Sequence, residues 1–290
     1  MKKIIIGFPE SKGLARNVAK KAGVEFSELE LKQFPDKESY IQFNADLKGK
    51  KVFLFRSLDD PDAKITQVIL AAYTAKDLGA KKVVLVAPYL CYMRQDKRFR
   101  DGEAVSSRII AKLFNRCFDG LVTVDPHLHR FKSLDVIYKM KTKKITAVLP
   151  IADFIKKNFR NPFVFGPDEE SYQWARSVAK LVGCESDVLR KHRYGPETVR
   201  IKVKERQDIK NKDIIIVDDV ISTGHTMMEV IKDLRKMGIR KITCICTHGI
   251  FADNALKKIR RLGAKAFSTN TIHNEVSRID ISELLTKEIK

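Results

Sequence analysis

The feature that most restricts the fold is an internal repeat, in which segments from the first half of the chain return in the second. Residues 15–23, Ala-Arg-Asn-Val-Ala-Lys-Lys-Ala-Gly, return at 175–183 as Ala-Arg-Ser-Val-Ala-Lys-Leu-Val-Gly. Residues 76–86 parallel residues 235–245 in the same way. Self-similarity over roughly half of the chain predicts two copies of one fold.

Each copy alternates strand-length apolar runs with amphipathic helices. One predicted helical face in the first copy is formed by Ile65, Val68, Ile69, Ala72 and Leu78. This alternation is typical of βαβ units on a parallel sheet, and a length of 290 residues suits two domains. We therefore predict an α/β protein with tandem domains at 1–145 and 146–290, each a mainly parallel sheet flanked by helices.

The stretch at 213–226 carries the clearest chemical signature. Residues 214–217 form a β-branched run, which predicts a strand buried on both faces and ending at Asp218 and Asp219. A loop of small hydroxyl residues and the start of a helix follow, and together they favour a phosphate. The two carboxylates instead favour hydroxyls or a cation. We interpret the stretch as a sugar-phosphate site; an ordinary strand-to-helix connection is the alternative.

The first copy has diverged at the corresponding place. Asp59-Asp60 falls in sequence register with Asp218-Asp219, but the residues that follow it are Pro-Asp-Ala-Lys, without glycine or hydroxyl side chains. The first copy therefore lacks a phosphate-binding loop, and we expect it to contribute something else.

Three N-terminal stretches are candidates for that contribution. Residues 34–38 combine a ring with two acids, and residues 88–97 and 124–129 each follow an apolar run. Open α/β sheets bind ligands at the carboxyl ends of their strands, so we expect the latter two stretches to meet at one edge. Singly, each has an ordinary explanation as core, turn or surface loop.

Composition narrows the class of protein. The net charge of +20 is consistent with nucleic acid as a partner, but Lys and Arg are spread along the whole chain without RNA-motif aromatics. We therefore predict no nucleic-acid partner. The apolar runs are strand-length and the N-terminus lacks a signal peptide's apolar stretch, so we expect no membrane association and a cytoplasmic protein. Five cysteines without Cys-x-x-Cys spacing predict free thiols and no structural zinc.

In combination, these motifs resemble those of the ribose-phosphate pyrophosphokinases (phosphoribosyl pyrophosphate synthetases), a family with two phosphoribosyltransferase-like domains. The most specific match is Tyr-x-Arg-Gln-Asp-Lys at 92–97, and the resemblance runs nearly end to end. It implies ATP-binding elements in 1–145 and ribose 5-phosphate and pyrophosphate loops in 146–290. The sugar-phosphate residues that it implies are Asp218, Asp219, Ser222, Thr223, Gly224, His225 and Thr226.

The resemblance also implies an ATP site shared between subunits, and hence a homo-oligomer of at least two chains. Phe34 would contact the adenine, with Asp36 and Glu38 near the base and ribose of a neighbour's nucleotide. The remaining residues implied for the site are Arg94, Gln95 and His127. Proline replaces the family's leucine at position 126, and His225 stands where many members carry a second glycine.

The implied cofactor is Mg²⁺, held by His127 and Asp168. Lys191 and Arg193 match the Lys-x-Arg pair of a mobile catalytic loop that also contains Gly195-Pro196. Two acids follow Asp168, where the family's common pyrophosphate loop is rich in glycine. There is no Gly-x-x-x-x-Gly-Lys-Ser/Thr and no Gly-x-Gly-x-x-Gly, which disfavours ATP use of the P-loop or Rossmann type.

The expected activity is transfer of the pyrophosphoryl group of ATP to ribose 5-phosphate for nucleotide biosynthesis. Two alternatives remain: a phosphoribosyltransferase, and a non-catalytic regulatory paralogue of the synthetase. The first would leave the stretches around Phe34 and Arg94 without a role. The second should have lost Lys191, Arg193 or Asp168, all of which are present.

Overall fold

The computed structural model describes residues 1–128, 130–188, 191–194, 198–201 and 209–290, with the backbone alone for 169–170, 191–194 and 198–201. The chain divides into two compact units. The first contains Met1–Thr146, Thr271–His273 and Ile281–Lys290, and the second contains Ala147–Asn270 and Asn274–Asp280. Among the described residues, no helix is both long enough and apolar enough to cross a membrane.

The first unit contains a seven-stranded sheet in the order β3-β2-β1-β4-β5-β6-β7. Its strands are β1 (Lys3–Gly7), β2 (Glu25–Gln33), β3 (Ser39–Phe43), β4 (Lys51–Phe55), β5 (Lys82–Ala87), β6 (Gly120–Val124) and β7 (Lys141–Ile145). Its first three helices are α1 (Lys12–Ala22), α2 (Pro61–Asp77) and α3 (Ser106–Cys117). Every pairing is parallel except β2 with β3, which forms an antiparallel hairpin at the edge.

The second unit contains a six-stranded parallel sheet in the order β15-β14-β13-β12-β8-β9, with a separate antiparallel pair β10-β11. Its strands are β8 (Pro162–Gly166), β9 (Ser186–Val188), β10 (Lys191–Tyr194), β11 (Thr198–Ile201), β12 (Asp213–Ile221), β13 (Ile242–Gly249), β14 (Lys265–Thr269) and β15 (Ser277–Ile279). Its helices are α4 (Val148–Asn158), α5 (Glu169–Val182), α6 (His225–Lys236) and α7 (Ala255–Arg261). The two mainly parallel sheets confirm the predicted α/β class.

The repeated sequence words form equivalent helices with equivalent ends. In α1, Ala15, Val18 and Ala19 are buried, and the corresponding alanines and valine of α5 are buried too. Both helices end at a glycine in the left-handed conformation, Gly23 at φ 66° and Gly183 at φ 82°. Glycine adopts this conformation without steric cost, and its N–H satisfies a carbonyl of the last turn.

The last helix of the chain, α8 (Ser282–Ile289), completes the first unit and not the second. It packs on α1 and β7, as α4 packs on α5 and β15. Thus α8 covers the first sheet in the way that α4 covers the second. The predicted boundary placed all of 146–290 in the second domain; the units differ because the first sheet receives its covering helix from the end of the chain.

The strand registers correct one sequence prediction, that Asp59-Asp60 is equivalent to Asp218-Asp219. Phe55 pairs with Val86 in the first unit, and Val217 pairs with Ile245 in the second. Because residues 76–86 parallel 235–245, Phe55 corresponds to Val217. The residue after Phe55 is Arg56, which therefore takes the place of Asp218. The sequence alignment was wrong because the segment before β12 is three residues longer than the segment before β4.

Candidate functional site

The central strand of the second unit, β12, carries the acidic pair. Its residues Ile214–Val217 are fully buried, as predicted for a strand between two helix layers. The strand does not stop at the carboxylates, because β13 continues beside it and pairs Asp218 with Cys246 and Val220 with His248. Both Asp218 and Asp219 therefore sit on rigid strand backbone, with half-buried side chains.

The loop after β12 is short and tightly packed. Ser222 and Thr223 are half-buried, and Gly224 is buried at φ 71°, immediately before the first residue of α6. A Cβ at position 224 would lie 3.2 Å from the Cβ of Ala255. Glycine is required here by both the left-handed backbone and this close contact.

The N-terminus of α6 faces solvent beside this loop. His225 and Thr226 are exposed, and the Thr223 hydroxyl lies 3.1 Å from Nδ1 of His225. The N-terminus of a 12-residue helix offers free backbone N–H groups and partial positive charge, which suit a phosphate. The loop and helix thus have the chemistry predicted for a phosphate-binding site.

The acidic pair is electrostatically unfavourable on its own. Burial, followed by the charges of Asp219 and Asp168, raises the pKa of Asp218 well above its usual range. The Asp219 backbone N–H donates to Oδ1 of Asp218 at 3.0 Å, which offsets part of that effect. The charges of Asp219 and Asp168 therefore disfavour the ionised form of Asp218, and a cation or a set of hydroxyl donors would stabilise that form.

Asp168 lies between β8 and α5 and caps the helix. Its Oδ1 accepts from the Ser171 backbone N–H at 2.9 Å and from the Ser171 hydroxyl. The preceding Gly166 is held against the helix, since a Cβ there would lie 3.0 Å from Cα of Tyr172. The capping bonds use one carboxyl oxygen of Asp168 and fix the orientation of the group.

This set of donors fits Mg²⁺ that is bound together with a phosphorylated substrate. The described residues contain no group of three or more His, Cys, Asp or Glu side chains that could hold a metal ion by themselves. Magnesium in phosphoryl-transfer sites is held by one or two carboxylates, water and substrate phosphates. Asp218, whose pKa is raised in part by the nearby Asp168 charge, can supply a carboxylate of this kind.

The equivalent place in the first unit is filled by paired side chains. Arg56 is 3% exposed, and its Nε donates to Oε1 of Glu10 at 2.5 Å. Lys64 lies 2.9 Å from Oδ1 of Asp59 and 3.7 Å from the same Glu10 oxygen. The Arg56 guanidinium also stacks 4.4 Å from the centroid of the Phe8 ring. Here, acids and cations of the chain neutralise one another.

The hairpin of the first unit presents the predicted nucleotide-binding side chains at its tip. Phe34 is 51% exposed and meets the Tyr40 ring edge-on, with ring centroids 6.0 Å apart. The Asp36 carboxylate accepts from the Glu38 backbone N–H at 3.1 Å, and the Phe34 N–H donates to the Glu38 carbonyl at 2.8 Å. The turn is therefore well defined while its ring remains open to solvent.

The stretches containing Arg94, Gln95 and His127 leave the same edge of the first sheet, because β5 and β6 are parallel neighbours. Arg94 is exposed, whereas Gln95 and His127 are half-buried. Gln95 is oriented by a 3.3 Å hydrogen bond to Glu103. The expectation that both stretches meet at one carboxyl edge is confirmed by this topology; the binding roles of their residues stay predictions.

Lys191 and Arg193 lie on β10, which pairs with β11 in an antiparallel register that places the Arg193 backbone opposite that of Val199. The structure describes the backbone of these residues, and Gly195 and Pro196, at the predicted loop, fall outside the described residues, as does His129. Each unit thus has an antiparallel hairpin ahead of strand β4 or β12, formed by β2 and β3 in the first unit and by β10 and β11 in the second.

Both halves of the chain match known protein families. Residues 3–117 match the N-terminal domain of ribose phosphate pyrophosphokinase, and residues 142–278 match the phosphoribosyl transferase domain. A ribose-phosphate pyrophosphokinase of Sulfurisphaera tokodaii is 32% identical over 99% of this chain and 100% of its own length. The chain belongs to the ribose-phosphate pyrophosphokinase family. A second family member, from Saccharolobus solfataricus, is 33% identical over 97% of this chain and 98% of its own.

The fold of this ribose-phosphate pyrophosphokinase family member also matches a solved structure. The phosphoribosylpyrophosphate synthetase of Mycobacterium smegmatis covers 100% of this chain with 98% of its own, at a TM-score of 0.86 and 24% identity. At that identity the match supports the fold. The resemblance and the two-domain α/β fold inferred from sequence are thus confirmed.

Sequence reasoning missed the contacts that hold the segments around Arg94 and His127 in place. Asp96, whose side chain is 2% exposed, forms a 2.7 Å ion pair with Arg130. Tyr92 donates to Asp62, and this hydrogen bond raises the Tyr92 pKa to about 12. No local pattern predicts such pairs, because their members are 30 and 34 residues apart.

Proposed function

We propose that this member of the ribose-phosphate pyrophosphokinase family transfers the pyrophosphoryl group of ATP to the 1-hydroxyl of ribose 5-phosphate. The products are phosphoribosyl pyrophosphate and AMP, and the role is in nucleotide biosynthesis. The observation that carries the proposal is the second unit's acidic pair on β12, placed directly before a glycine-tight loop and the α6 N-terminus. This combination suits a molecule that carries hydroxyls at one end and a phosphate at the other.

Ribose 5-phosphate has those two ends. In our proposal, Asp218 and Asp219 accept hydrogen bonds from the ribose hydroxyls, and the phosphate lies against Ser222–Thr226. Ionised carboxylates form stronger hydrogen bonds with hydroxyl donors than neutral groups do. Binding of the sugar and its cation should therefore favour the ionised form of Asp218, whose pKa is raised in the free protein.

The ATP-binding roles rest on the family resemblance and on exposure. We assign Phe34, Asp36, Glu38, Arg94, Gln95 and His127 to ATP. An exposed ring on a fixed turn, as at Phe34, can stack on an adenine without the cost of ordering the backbone. We further propose that Phe34 serves the nucleotide of a neighbouring chain, so that the active form is a homo-oligomer of at least two chains.

Asp168 and His127 are the proposed Mg²⁺ ligands. When bound, the ion would screen the charges of the phosphates and orient them. Asp168 is suited to this position because its capping bonds to Ser171 fix the carboxyl group. We also propose that the protein is cytoplasmic and that it does not bind nucleic acid.

The reaction requires positioning and charge neutralisation more than proton chemistry. Oxygen 1 of the ribose forms a bond to the β-phosphorus of ATP, and the bond from that phosphorus to the bridging α–β oxygen breaks. AMP leaves with that oxygen, and the hydroxyl proton passes to solvent. We assign Lys191 and Arg193 to the charge that develops on the transferred group.

The deciding assay is incubation with ribose 5-phosphate, ATP and Mg²⁺ and detection of AMP together with phosphoribosyl pyrophosphate. A regulatory paralogue would bind nucleotide and form neither product. A phosphoribosyltransferase would consume phosphoribosyl pyrophosphate with a base, and would form no AMP from ATP and ribose 5-phosphate. Either of these results would overturn the proposal.

A further inference from the structure

The second unit contains a cavity at the edge of its sheet opposite the proposed substrate site. The cavity has a volume of about 490 Å³ and is lined by the end of α4, the end of α5 and the starts of β8 and β12. Pro162 at the cavity and Gly166 are the two ends of strand β8, about 13 Å apart at 3.3 Å per residue, and Asp168 lies beyond Gly166. Its size falls within the range of small-molecule sites.

The internal repeat shows how the lining of this cavity differs from the equivalent place in the first unit. Pro162 begins β8 as Lys3 begins β1, since Pro162 pairs with Asp213 where Lys3 pairs with Lys51. In the first unit, the Lys3 ammonium donates to the Ile289 carbonyl at the end of α8, at 2.9 Å. Proline has neither the length nor the donor for this contact. The space beside the end of α4 therefore stays open.

One ion pair of this region is retained in both units. Lys50 lies 2.7 Å from Glu25, and Lys212 lies 2.5 Å from Glu185 at the equivalent position. Lys212 also rests on the Phe163 ring, 5.3 Å from its centroid. Because this pair occurs in both units, it is part of the shared framework and leaves Lys156 and Arg160 as the distinctive charges of the cavity.

Charge identifies the class of ligand. Lys156, Arg160 and Lys212 line the cavity with Glu185 as the carboxylate, a side-chain balance of three cations and one anion. Two helix C-termini add about one negative charge in total, so roughly one positive charge remains. With the described residues, Lys156 and Arg160 form no hydrogen bond or ion pair. A cation in the last turn of a helix stabilises the helix dipole, but Arg160 lies beyond α4.

We propose that this cavity binds a small phosphorylated molecule, with its phosphate at Lys156 and Arg160 and its uncharged part against Phe159 and Pro162. The volume exceeds that of a phosphate ion and admits a nucleoside monophosphate. This site is independent of the proposed catalytic function, and its test does not use activity.

Cys184 provides a local reporter, because it lines the cavity and is half-buried, whereas the other four cysteines are buried. Burial raises the pKa of the Cys184 thiol, so the labelling is run at about pH 9 with a small thiol-specific reagent. The whole chain is labelled with and without uridine 5′-monophosphate or inorganic phosphate, and the modified cysteine is identified by mass spectrometry. We expect the nucleotide to slow Cys184 labelling at least tenfold when saturating, and phosphate to do so less.

The matched variants remove equal charge inside and outside the cavity. Lys156→Gln with Arg160→Gln should raise the concentration needed for protection at least tenfold, as expected for two charge-assisted hydrogen bonds. Lys157→Gln with Lys180→Gln removes two exposed charges from the same helices and should leave protection unchanged. Pro162→Lys should fill the cavity and slow labelling without any ligand. No protection by millimolar nucleotide or phosphate, or equal protection in the two double variants, would overturn the proposal.

Discussion

Arg56 and Asp218 occupy the same place in the two copies of the repeat, yet they carry opposite charges. Arg56 is buried and paired with Glu10, and Lys64 links that glutamate to Asp59. Asp218 lies instead beside Asp219 and Asp168, whose charges add to burial in raising its pKa. The first copy thus supplies both signs of charge from its own side chains, while the second brings together charges of one sign.

The difference shows how one fold can serve structure in one copy and ligand binding in the other. In the first copy the buried Arg56 already has an opposite charge beside it in Glu10, although one of its guanidinium nitrogens, Nη1, has no hydrogen-bond partner among the described residues. A cluster of carboxyl groups is destabilised until a cation or hydroxyl donors arrive, so part of the binding energy relieves that repulsion. The same strand end can therefore be a rigid support or a substrate site, according to the sign of one side chain.

The largest predicted effect on activity concerns two cations of the second unit, Lys191 and Arg193. Lys191→Ala and Arg193→Ala should each lower kcat by about 10²–10³, or roughly 3–4 kcal/mol, because one donor to developing charge is lost. KM for both substrates should change far less, since we expect these cations to act in the transition state. The measurement is steady-state kinetics of both variants at several pH values.

Exposed cations elsewhere serve as the control for this prediction. Lys232→Ala, on the exposed face of α6, should leave kcat within about twofold, as for most surface changes. If the two hairpin variants raised KM with kcat intact, Lys191 and Arg193 would only bind substrate. A loss restored by raising the pH would indicate proton chemistry instead.

The next prediction compares Asp219 with Asp60, which align in the sequence repeat but do not occupy equivalent places in the structure. Asp219→Ala should weaken ribose 5-phosphate binding by about 10–100-fold, as expected when hydrogen bonds to a charged group are lost. Asp60→Ala, its partner in the sequence repeat, should change this binding less than about twofold, because Asp60 is exposed and caps nothing with its side chain. Calorimetry with ribose 5-phosphate and, separately, with ATP measures both effects. Equal loss of both ligands on Asp219→Ala would contradict the division of labour between the units.

Replacement of Arg56 should lower the stability of the folded protein, whereas replacement of the structurally equivalent Asp218 should raise it. Arg56→Ala removes the charged partner of the partly exposed Glu10 and the contact with Phe8, so the free energy of unfolding should fall by about 2 kcal/mol. The control Arg16→Ala breaks an exposed pair with Glu28 and should leave the free energy of unfolding nearly unchanged, because solvent screens such pairs. Asp218→Asn should instead raise Tm by about 2–4 °C in the ligand-free protein, the shift expected for roughly 1 kcal/mol in a chain of this size.

The pH dependence of that gain follows from the direction of the pKa shift. The folded protein holds the Asp218 proton more tightly than the unfolded chain does, so ionisation of Asp218 lowers stability as the pH rises above its unfolded pKa of about 3.9. The Tm difference between Asp218→Asn and the parent should therefore grow with pH and level off above the folded pKa. Thermal unfolding followed by circular dichroism tests this, and a difference that is constant across pH would falsify the assigned cause.

Much of this comparison could be predicted from sequence, and one essential part could not. The repeat, the α/β class and the buried strand at 214–217 follow from periodicity and matching words. The equivalence of Arg56 and Asp218 does not, because a three-residue difference before β12 puts Asp59-Asp60 into false register. Only the pairing of Phe55 with Val86 and of Val217 with Ile245 corrects it. Likewise, the return of α8 to the first unit leaves no local signal, since any amphipathic helix could cover either sheet.

The smallest predicted effect concerns the two hairpins, which the repeat places at equivalent points in the units. Phe34→Ala should raise KM for ATP about tenfold, the loss expected for one ring stacked on a base. Tyr40→Ala serves as a control for loss of the neighbouring ring, because Tyr40 meets Phe34 edge-on and its loss leaves the stacking face in place. Phe34 and Lys191 lie on different hairpins. If Phe34 contacts the nucleotide of a neighbouring chain, the Phe34→Ala and Lys191→Ala substitutions can be placed on different chains of one oligomer.

Mixing the two variants tests that separation. Phe34→Ala chains retain Lys191, and Lys191→Ala chains retain Phe34, so a site built from two chains can receive both intact hairpins in a mixed oligomer. We expect the mixture to exceed the summed activity of the separate variants after subunit exchange, with exchange monitored by mass spectrometry of differently labelled chains. A site built within one chain would gain nothing from mixing, because every such site would retain one defective hairpin. Recovery would therefore show that the two hairpins, equivalent in the repeat, act in a single site contributed by different chains.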